Sequence, residues 1–203
     1  MSYLFLDSVS NLKYGLIDNQ FKWIEFVETN EIKSSAVIHK LIYELAQKYH
    51  IDLKKLTGII KVSGPGSYTG MRVAEGVSNI FEWQGVSTFA FYLYEIPELT
   101  GVSQGHWLSN AFKGETFIYS WDKNKSDKKL SSKDLDQLFS SLSKQGPSIF
   151  STEATFLEMG AIDCYGALRN QEKELFQAVV HRGEDAPPFY YRSLEAEFKQ
   201  AKS

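Results

Sequence analysis

The sequence predicts an α/β protein with mixed β-sheets, and three patterns indicate this class. Two apolar segments, 14–17 and 21–27, flank Asp18-Asn19-Gln20, a combination that is typical of a β-hairpin. Apolar residues between Val37 and Leu45 recur with the period of an amphipathic helix. A short continuous apolar strand, 58–62, then precedes a second helical segment. A hairpin that leads into strand–helix–strand units is typical of a mixed sheet covered by helices.

The first hundred residues contain predicted elements in the order strand, strand, strand, helix, strand, helix, strand. A buried strand opens the chain, the hairpin follows, and strands then alternate with helices. We assign these elements to a first domain, residues 1–100. The predicted bounds are 3–6, 14–17, 21–27, 36–48, 58–62, 70–83 and 86–90.

The second half of the chain begins again with strands, which predicts a second, shorter domain over 101–203. Its last segment can return to the first domain. A Lys113-Gly114 turn joins the first two strands, and the polar, lysine-rich stretch 122–129 is predicted as an exposed loop. The other predicted elements are strands 106–111, 115–121 and 149–151 and helices 132–143 and 167–180.

The composition disfavours several functional classes. The 203 residues carry 22 basic and 25 acidic side chains, and this net charge of −3 disfavours a protein that binds nucleic acid by itself. The single cysteine, Cys164, can form neither a disulfide within the chain nor a cysteine-based zinc site. No run approaches the length of a membrane helix, and the first residues lack the basic start of a signal peptide. We therefore expect a cytoplasmic protein with no membrane partner.

The most prominent motif is Gly64-Pro65-Gly66-Ser67-Tyr68-Thr69-Gly70-Met71-Arg72, which lies between a strand and a helix. Glycine permits unusual backbone angles and amides at a helix start attract anions, so phosphate binding is the first hypothesis. The spacing fits neither a Walker A loop nor a dinucleotide fingerprint, because both require glycine where Thr69 stands. A tight strand-to-helix turn, in which Ser67 and Thr69 cap the helix, is the alternative.

This nonapeptide resembles the Gly-Pro-Gly-Ser-Phe/Tyr-Thr-Gly-x-Arg motif of the TsaB (YeaZ) family, and its fixed positions match. Segments 4–8, 85–88, 110–115 and 188–192 resemble further family segments in the same order, so the resemblance covers nearly the whole chain.

The chain also departs from the family pattern. Asn110-Ala111-Phe112 stands where the family has Asp-Ala-Arg, and Lys33 stands where a histidine often precedes the first helix. The segment after Asp7 lacks the glycine that actin-like ATPases place in their first phosphate loop, and the second half is shorter than usual.

The resemblance implies an actin/Hsp70-like two-lobe fold and a role in making threonylcarbamoyladenosine in bacterial tRNA. Family members are regarded as non-catalytic relatives of the catalytic subunit TsaD, with which they pair through helices of the first lobe. A small ATPase, TsaE, joins the pair. The resemblance further implies that tRNA is bound only through the complex. It implies no intrinsic cofactor, with ATP or ADP held only at a complex interface.

The residues themselves predict little catalytic chemistry. The four histidines form no HxxxH or HExxH pair, so neither a metal site nor a metal peptidase is predicted. Asp7, at the end of the first strand, is a candidate nucleotide-proximal residue. The alternative function is therefore an actin-like ATPase that uses Asp7 and the loop from Gly64 to Gly70.

Two further surfaces are candidate contact sites. Helices 36–48 and 70–83 carry more apolar residues than one buried face requires, and aromatic residues and methionine are enriched in interface cores. The same helices could also form a homodimer when the partner is absent. The cluster 189–192 is either a platform for stacking bases or an anchor for the C-terminal segment. The candidate partner residues on the helices are Ile42, Tyr43, Val77, Ile80 and Phe81.

Overall fold

The computed structural model divides the chain into two compact units. The first unit combines Met1–Tyr92 with Glu172–Phe189, and the second combines Leu93–Gln171 with Tyr190–Ser203. Compared with the predicted division after residue 100, the first unit ends eight residues earlier and gains a C-terminal segment. The residues that the structure describes are 2–29, 34–111, 114–144, 146–183 and 186–191.

The first unit contains a five-stranded mixed sheet. Its strands are β1 (Ser2–Asp7), β2 (Leu12–Asp18), β3 (Trp23–Thr29), β4 (Gly58–Val62) and β5 (Ser87–Phe91). The strand order is β3-β2-β1-β4-β5. The first three strands pair antiparallel, β4 lies parallel to β1, and β5 lies parallel to β4. The register places Asp7 opposite Lys13 and Leu4 beside Ile59.

The second unit contains a five-stranded mixed sheet with the same pattern of connections. Its strands are β6 (Gly105–Asn110), β7 (Thr116–Asp122), β8 (Lys125–Ser131), β9 (Ser148–Ser151) and β10 (Ile162–Asp163). The strand order is β10-β9-β6-β7-β8, with β6, β7 and β8 antiparallel and β9 and β10 parallel. Each unit therefore places its first strand at the centre, with an antiparallel pair on one side and a parallel pair on the other.

Helices pack on both faces of the first sheet, which explains why β1 and β4 are apolar over nearly their whole length. One face contributes Leu4, Leu6 and Ile59 to a core shared with the first two helices. On the other face, the ring of Phe176 lies 5.6 Å from that of Phe5 and 5.1 Å from that of Trp23. The helices of the described residues are α1 (Ser34–Lys48), α2 (Tyr68–Glu82), α3 (Ile96–Leu99), α4 (Leu135–Ser143), α5 (Ala154–Glu158), α6 (Cys164–Asn170) and α7 (Glu172–Arg182).

The α/β class with mixed sheets is confirmed, and two predicted elements are wrong. The stretch 122–129, predicted as a loop, lies largely in the edge strand β8. Its lysines suit that position, because charged side chains on an edge strand oppose pairing with other chains. The single helix predicted over 167–180 is two helices, α6 and α7, separated at Gln171. None of the helices in the described part of the chain is long and apolar enough to cross a bilayer.

Candidate functional site

The glycine-rich loop connects β4 to α2 and ends in a helix cap. The Ser67 side chain accepts a hydrogen bond from the Gly70 amide at 3.2 Å, so Ser67 is the N-cap and α2 begins at Tyr68. Pro65 is buried and its peptide bond with Gly64 is cis, whereas Tyr68 and Thr69 are exposed. The predicted cap at Ser67 is therefore confirmed, and the helix starts two residues earlier than predicted.

Two glycines of the loop lie directly against the turn between β1 and β2. A Cβ atom at Gly70 would overlap the carbonyl oxygen of Ser8, and one at Gly66 would lie 2.5 Å from the carbonyl oxygen of Val9. Two hydrogen bonds hold the contact: the Ser67 amide donates to Val9 O at 2.7 Å, and Ser8 Oγ donates to Gly70 O at 2.6 Å. The loop therefore needs glycine at both positions for backbone-to-backbone packing.

Two amides of this loop, and the Met71 amide that follows it, donate within the protein. The Ser67 amide donates to Val9 O, as described above. The Gly70 amide donates to Ser67 Oγ, and the Met71 amide donates to Ser67 O at 2.9 Å. Asp7 is fully buried, and its Oδ1 accepts a hydrogen bond from the Val9 amide at 3.0 Å, which shapes the β1–β2 turn. A phosphate loop presents its amides to a ligand. Here three amides and the Asp7 carboxylate instead hold the loop and the turn in place.

A C-terminal segment is anchored at the base of the loop. The Phe189 amide donates to Ser63 O at 2.8 Å, and the Tyr92 hydroxyl donates to Pro187 O at 3.0 Å. Gly64 adopts φ = 113°, a region that favours glycine, and a Cβ there would meet Met71 and Phe189. Gly64, the first residue of the motif, is thus packed between Met71 and Phe189.

The aromatic residues of the C-terminal cluster serve as anchors. Phe189 packs its ring 5.7 Å from that of Tyr92 in the first unit. In the second unit, Tyr191 packs its ring 5.3 Å from that of Phe117 and places its hydroxyl 2.7 Å from Ser109 Oγ. Burial raises the pKa of Tyr191. These contacts favour the anchor over a base-stacking platform. Arg192, Lys33 and Phe112 lie outside the described residues.

The candidate partner residues divide into core and surface positions. Ile42 and Val77 are buried in the core of the first unit, so they cannot contact a partner directly. Phe81 is partly buried against the same core. Tyr43 and Ile80 are exposed, at 59% and 51%. Of the five candidate partner residues, Ile42 and Val77 are therefore corrected to core positions, because they lie on the inner stripes of their helices.

The exposed side of α2 has two features that the candidate set omits. Trp83 follows the last residue of α2 and is 86% exposed. Gly76 lies in the middle of the helix, and a Cβ there would meet nothing within 4 Å. Gly76, Ile80 and Trp83 are spaced by four and three residues and share one helix face. Together with Tyr43 on α1, which contacts α2, they define what we call the α1–α2 surface. The i, i+4, i+7 spacing of Gly76, Ile80 and Trp83 is visible in the sequence and could have placed them on one helix face.

Lys40 and Arg72 each pair with a carboxylate of their own helix, whereas Lys48 of α1 pairs with Glu25 of β3 at 2.7 Å. Arg72, the last residue of the nonapeptide, bonds Glu75 at 2.8 Å and lies over the Tyr68 ring at 5.7 Å. Lys40 pairs with Glu44 at 3.7 Å on α1. Such i, i+3 and i, i+4 pairs stabilise their own helix and leave the surface with balanced charge.

The part of the chain that the structure describes contains no group of three or more His, Cys, Asp or Glu side chains placed to hold a metal ion. His106 is buried, with Nδ1 2.9 Å from Ser120 Oγ. Desolvation and the nearby Lys129 lower the pKa of His106. His39, His50 and His181 are exposed and lie far apart in the sequence.

Solved structures with the same fold include YeaZ from Pseudomonas aeruginosa. That likeness has a TM-score of 0.59 at 13% sequence identity and covers 93% of this chain and 99% of that chain. An uncharacterized protein with similarity to peptidase YeaZ from Pseudomonas aeruginosa gives a TM-score of 0.62 at 15% identity, covering 94% and 99% of the two chains. No family model and no curated protein sequence matches the chain. The resemblance inferred from the sequence is therefore confirmed at the level of the fold, since the chain shares the fold of YeaZ over nearly its whole length.

Proposed function

We propose that this chain is a non-catalytic scaffold subunit of the tRNA threonylcarbamoyladenosine modification complex. It pairs with a TsaD-type catalytic subunit, and a TsaE-type ATPase joins the pair. The chain contacts tRNA only within that complex, and ATP or ADP binds only where subunits meet. The observation that carries the proposal is the loop from Gly64 to Gly70, which matches the family motif and packs against the β1–β2 turn.

The loop geometry supports a structural role. The amides of Ser67, Gly70 and Met71 donate within the protein, and the glycines at 66 and 70 touch the backbone of Val9 and Ser8. A nucleotide phosphate that bound these amides would have to displace these contacts. The motif is therefore better suited to fixing the start of α2 against β1 than to binding a phosphate group.

The α1–α2 surface supports pairing with another subunit. A glycine in a helix interior destabilises the helix by about 1 kcal/mol relative to alanine. Among the described residues, no atom lies within 4 Å of the place that a Gly76 side chain would occupy. A glycine at an exposed position lets the backbone of another helix approach closely. Ile80 and Trp83 supply exposed apolar side chains on the same helix face, and aromatic residues are common in the centres of interfaces.

The test is association with the TsaD-type subunit of the same organism, measured by sedimentation at micromolar concentrations. We expect a heterodimer, and we expect Trp83→Glu and Ile80→Glu to weaken it about tenfold or more, because each places a charge in an apolar contact. The matched control is Ile162→Glu, since Ile162 is exposed to 49% but lies in the second unit. Gly76→Ala should weaken pairing while the isolated chain becomes more stable.

Two outcomes would contradict the proposal. One is the absence of any association of the unmodified chain with the catalytic subunit. The other is an Ile162→Glu chain that loses pairing as much as Trp83→Glu does, because the α1–α2 surface would then have no special role.

The actin-like ATPase is the alternative function, and calorimetric titration with ATP and Mg²⁺ separates the two. We expect no tight binding and no turnover by the isolated chain, because the loop has the spacing of neither phosphate-binding motif and because the Ser67 and Gly70 amides and Asp7 already have partners within the protein. Tight binding that Asp7→Asn abolishes would favour the ATPase.

A further inference from the structure

A cavity of about 320 Å³ lies in the second unit between α3 and α6. Small-molecule sites in proteins are typically apolar cavities from about 300 Å³ upwards with a few polar groups. The volume accommodates about ten water-sized groups, since a water molecule occupies about 30 Å³ in the liquid. Its apolar lining consists mainly of Ile96, Pro97, Val102, Phe150, Ile162 and Ala167.

The polar groups that line the cavity favour a positively charged ligand. Among the described residues that line it, Asp163 is the charged one, and no lysine, arginine or histidine is present. Asp163 Oδ1 accepts a hydrogen bond from the Tyr165 amide at 2.9 Å, so the carboxylate is held in place as the N-cap of α6. Asn170 and Gln171 line the cavity at the opposite end of α6, where helix carbonyl groups carry partial negative charge.

Two neutral polar side chains of the lining, those of Thr100 and Asn170, donate within the protein. The Thr100 hydroxyl donates to the carbonyl oxygen of Ile96 at 2.8 Å. Asn170 Nδ2 donates to the carbonyl oxygen of Gly166 at 2.9 Å, so its amide oxygen is the atom suited to an incoming donor. The thiol of Cys164, whose pKa burial raises, stays protonated and uncharged. The cavity therefore combines apolar walls, hydrogen-bond acceptors and one carboxylate.

We propose that this cavity binds a small organic ammonium ion with an aromatic or branched aliphatic body. The body occupies the apolar walls, and the ammonium group lies at the rim beside Asp163. A carboxylate attracts a cation more strongly than a neutral donor, so charge sets the preference among ligands of the same shape. The site lies on other elements than the glycine-rich loop and the α1–α2 surface, and it does not depend on the function proposed above.

The test uses three probes of nearly the same shape: phenethylamine, 2-phenylethanol and 3-phenylpropionate. Each is titrated into the full-length, ¹⁵N-labelled chain at pH 7, and the amide shifts of Gly166 and Val102 report occupancy. We expect saturable shifts in the millimolar range for phenethylamine, with about tenfold weaker binding of the alcohol and weaker binding still of the carboxylate.

Two variants locate the site and its charge. Asp163→Asn keeps a helix cap but removes the charge, and should make phenethylamine bind like the alcohol. Asp134→Asn is the matched control, because Asp134 caps α4 through the amides of Asp136 and Gln137 and does not line the cavity. Ala167→Phe, with folding checked by its spectrum, should fill the cavity and abolish binding of all probes.

The proposal is overturned by the absence of saturable shifts, by equal affinity for the three probes, or by a preference for phenethylamine that survives Asp163→Asn. Binding that persists in a folded Ala167→Phe chain would also overturn it, because the probe would then occupy another place.

Discussion

Gly70→Ala tests whether the glycine-rich loop is a packing device. The new Cβ would overlap the Ser8 carbonyl oxygen and lie 2.7 Å from its carbon. The clash involves backbone atoms of both segments, which cannot rotate away as a side chain could. Removing the overlap therefore requires the loop and the β1–β2 turn to move apart. Overpacking of this kind destabilises a protein by about 1–3 kcal/mol. Loss of the hydrogen bonds from Ser8 Oγ and from the Ser67 amide adds about 1 kcal/mol each.

The expected net loss is about 2–4 kcal/mol in the free energy of unfolding, because alanine returns up to about 1 kcal/mol of helix propensity near the start of α2. Urea unfolding followed by circular dichroism measures it. Gly76→Ala is the matched control in the same helix: its Cβ meets nothing within 4 Å, so it should stabilise the chain by about 0.5–1 kcal/mol. If Gly70→Ala leaves the free energy unchanged, or shifts it in the same direction as Gly76→Ala, the packing argument fails.

Three further predictions concern burial and charge. Ile42→Ala should lower the free energy of unfolding by about 2–5 kcal/mol, and Ile80→Ala should change it by less than about 0.5 kcal/mol, since Ile42 is buried and Ile80 exposed; equal urea midpoints would contradict this assignment. Desolvation raises the pKa of Glu153 in the folded chain. The protonated side chain therefore stabilises the folded chain fully at pH values below the ordinary carboxyl pKa, and this stabilisation is lost as the pH rises through the raised folded-state pKa. The Glu153→Gln chain should therefore lose less stability between acidic and neutral pH than the unmodified chain, as thermal melts at several pH values would reveal. The Cys164 thiol, buried and with a raised pKa, should react with Ellman's reagent only after unfolding; rapid reaction of the native chain would refute its burial.

Much of the fold was predictable because short-range patterns carry it. The hairpin turn, the helical period of α1 and the apolar run of β4 each occupy a short window, and each prediction is confirmed. The cap at Ser67 was equally local. The sequence did not separate α6 from α7, because Gln171 is neither glycine nor proline and gives no signal of a helix end.

The remaining errors have a long-range cause. The lysines of β8 look like a solvated loop because an edge strand faces water along much of its length, and only pairing with β7 makes it a strand. Ile42 and Val77 look like surplus apolar surface until the sheet beneath them is known. The contact of Gly66 and Gly70 with the β1–β2 turn joins residues about sixty positions apart, and the motif alone does not reveal that partner.

The discontinuity of the first unit has a consequence for synthesis on the ribosome. Most of the second unit is one continuous segment, Leu93–Gln171, to which the residues from Tyr190 onwards are added. In the first unit, by contrast, one face of the sheet is covered by α7, which lies near the end of the sequence. Phe5 and Trp23 therefore leave the ribosome long before Phe176, against which they pack. Domains generally fold as units, beginning with those that emerge first. Here the part made first is completed last, because the aromatic face of its sheet is covered only after α7 has left the ribosome.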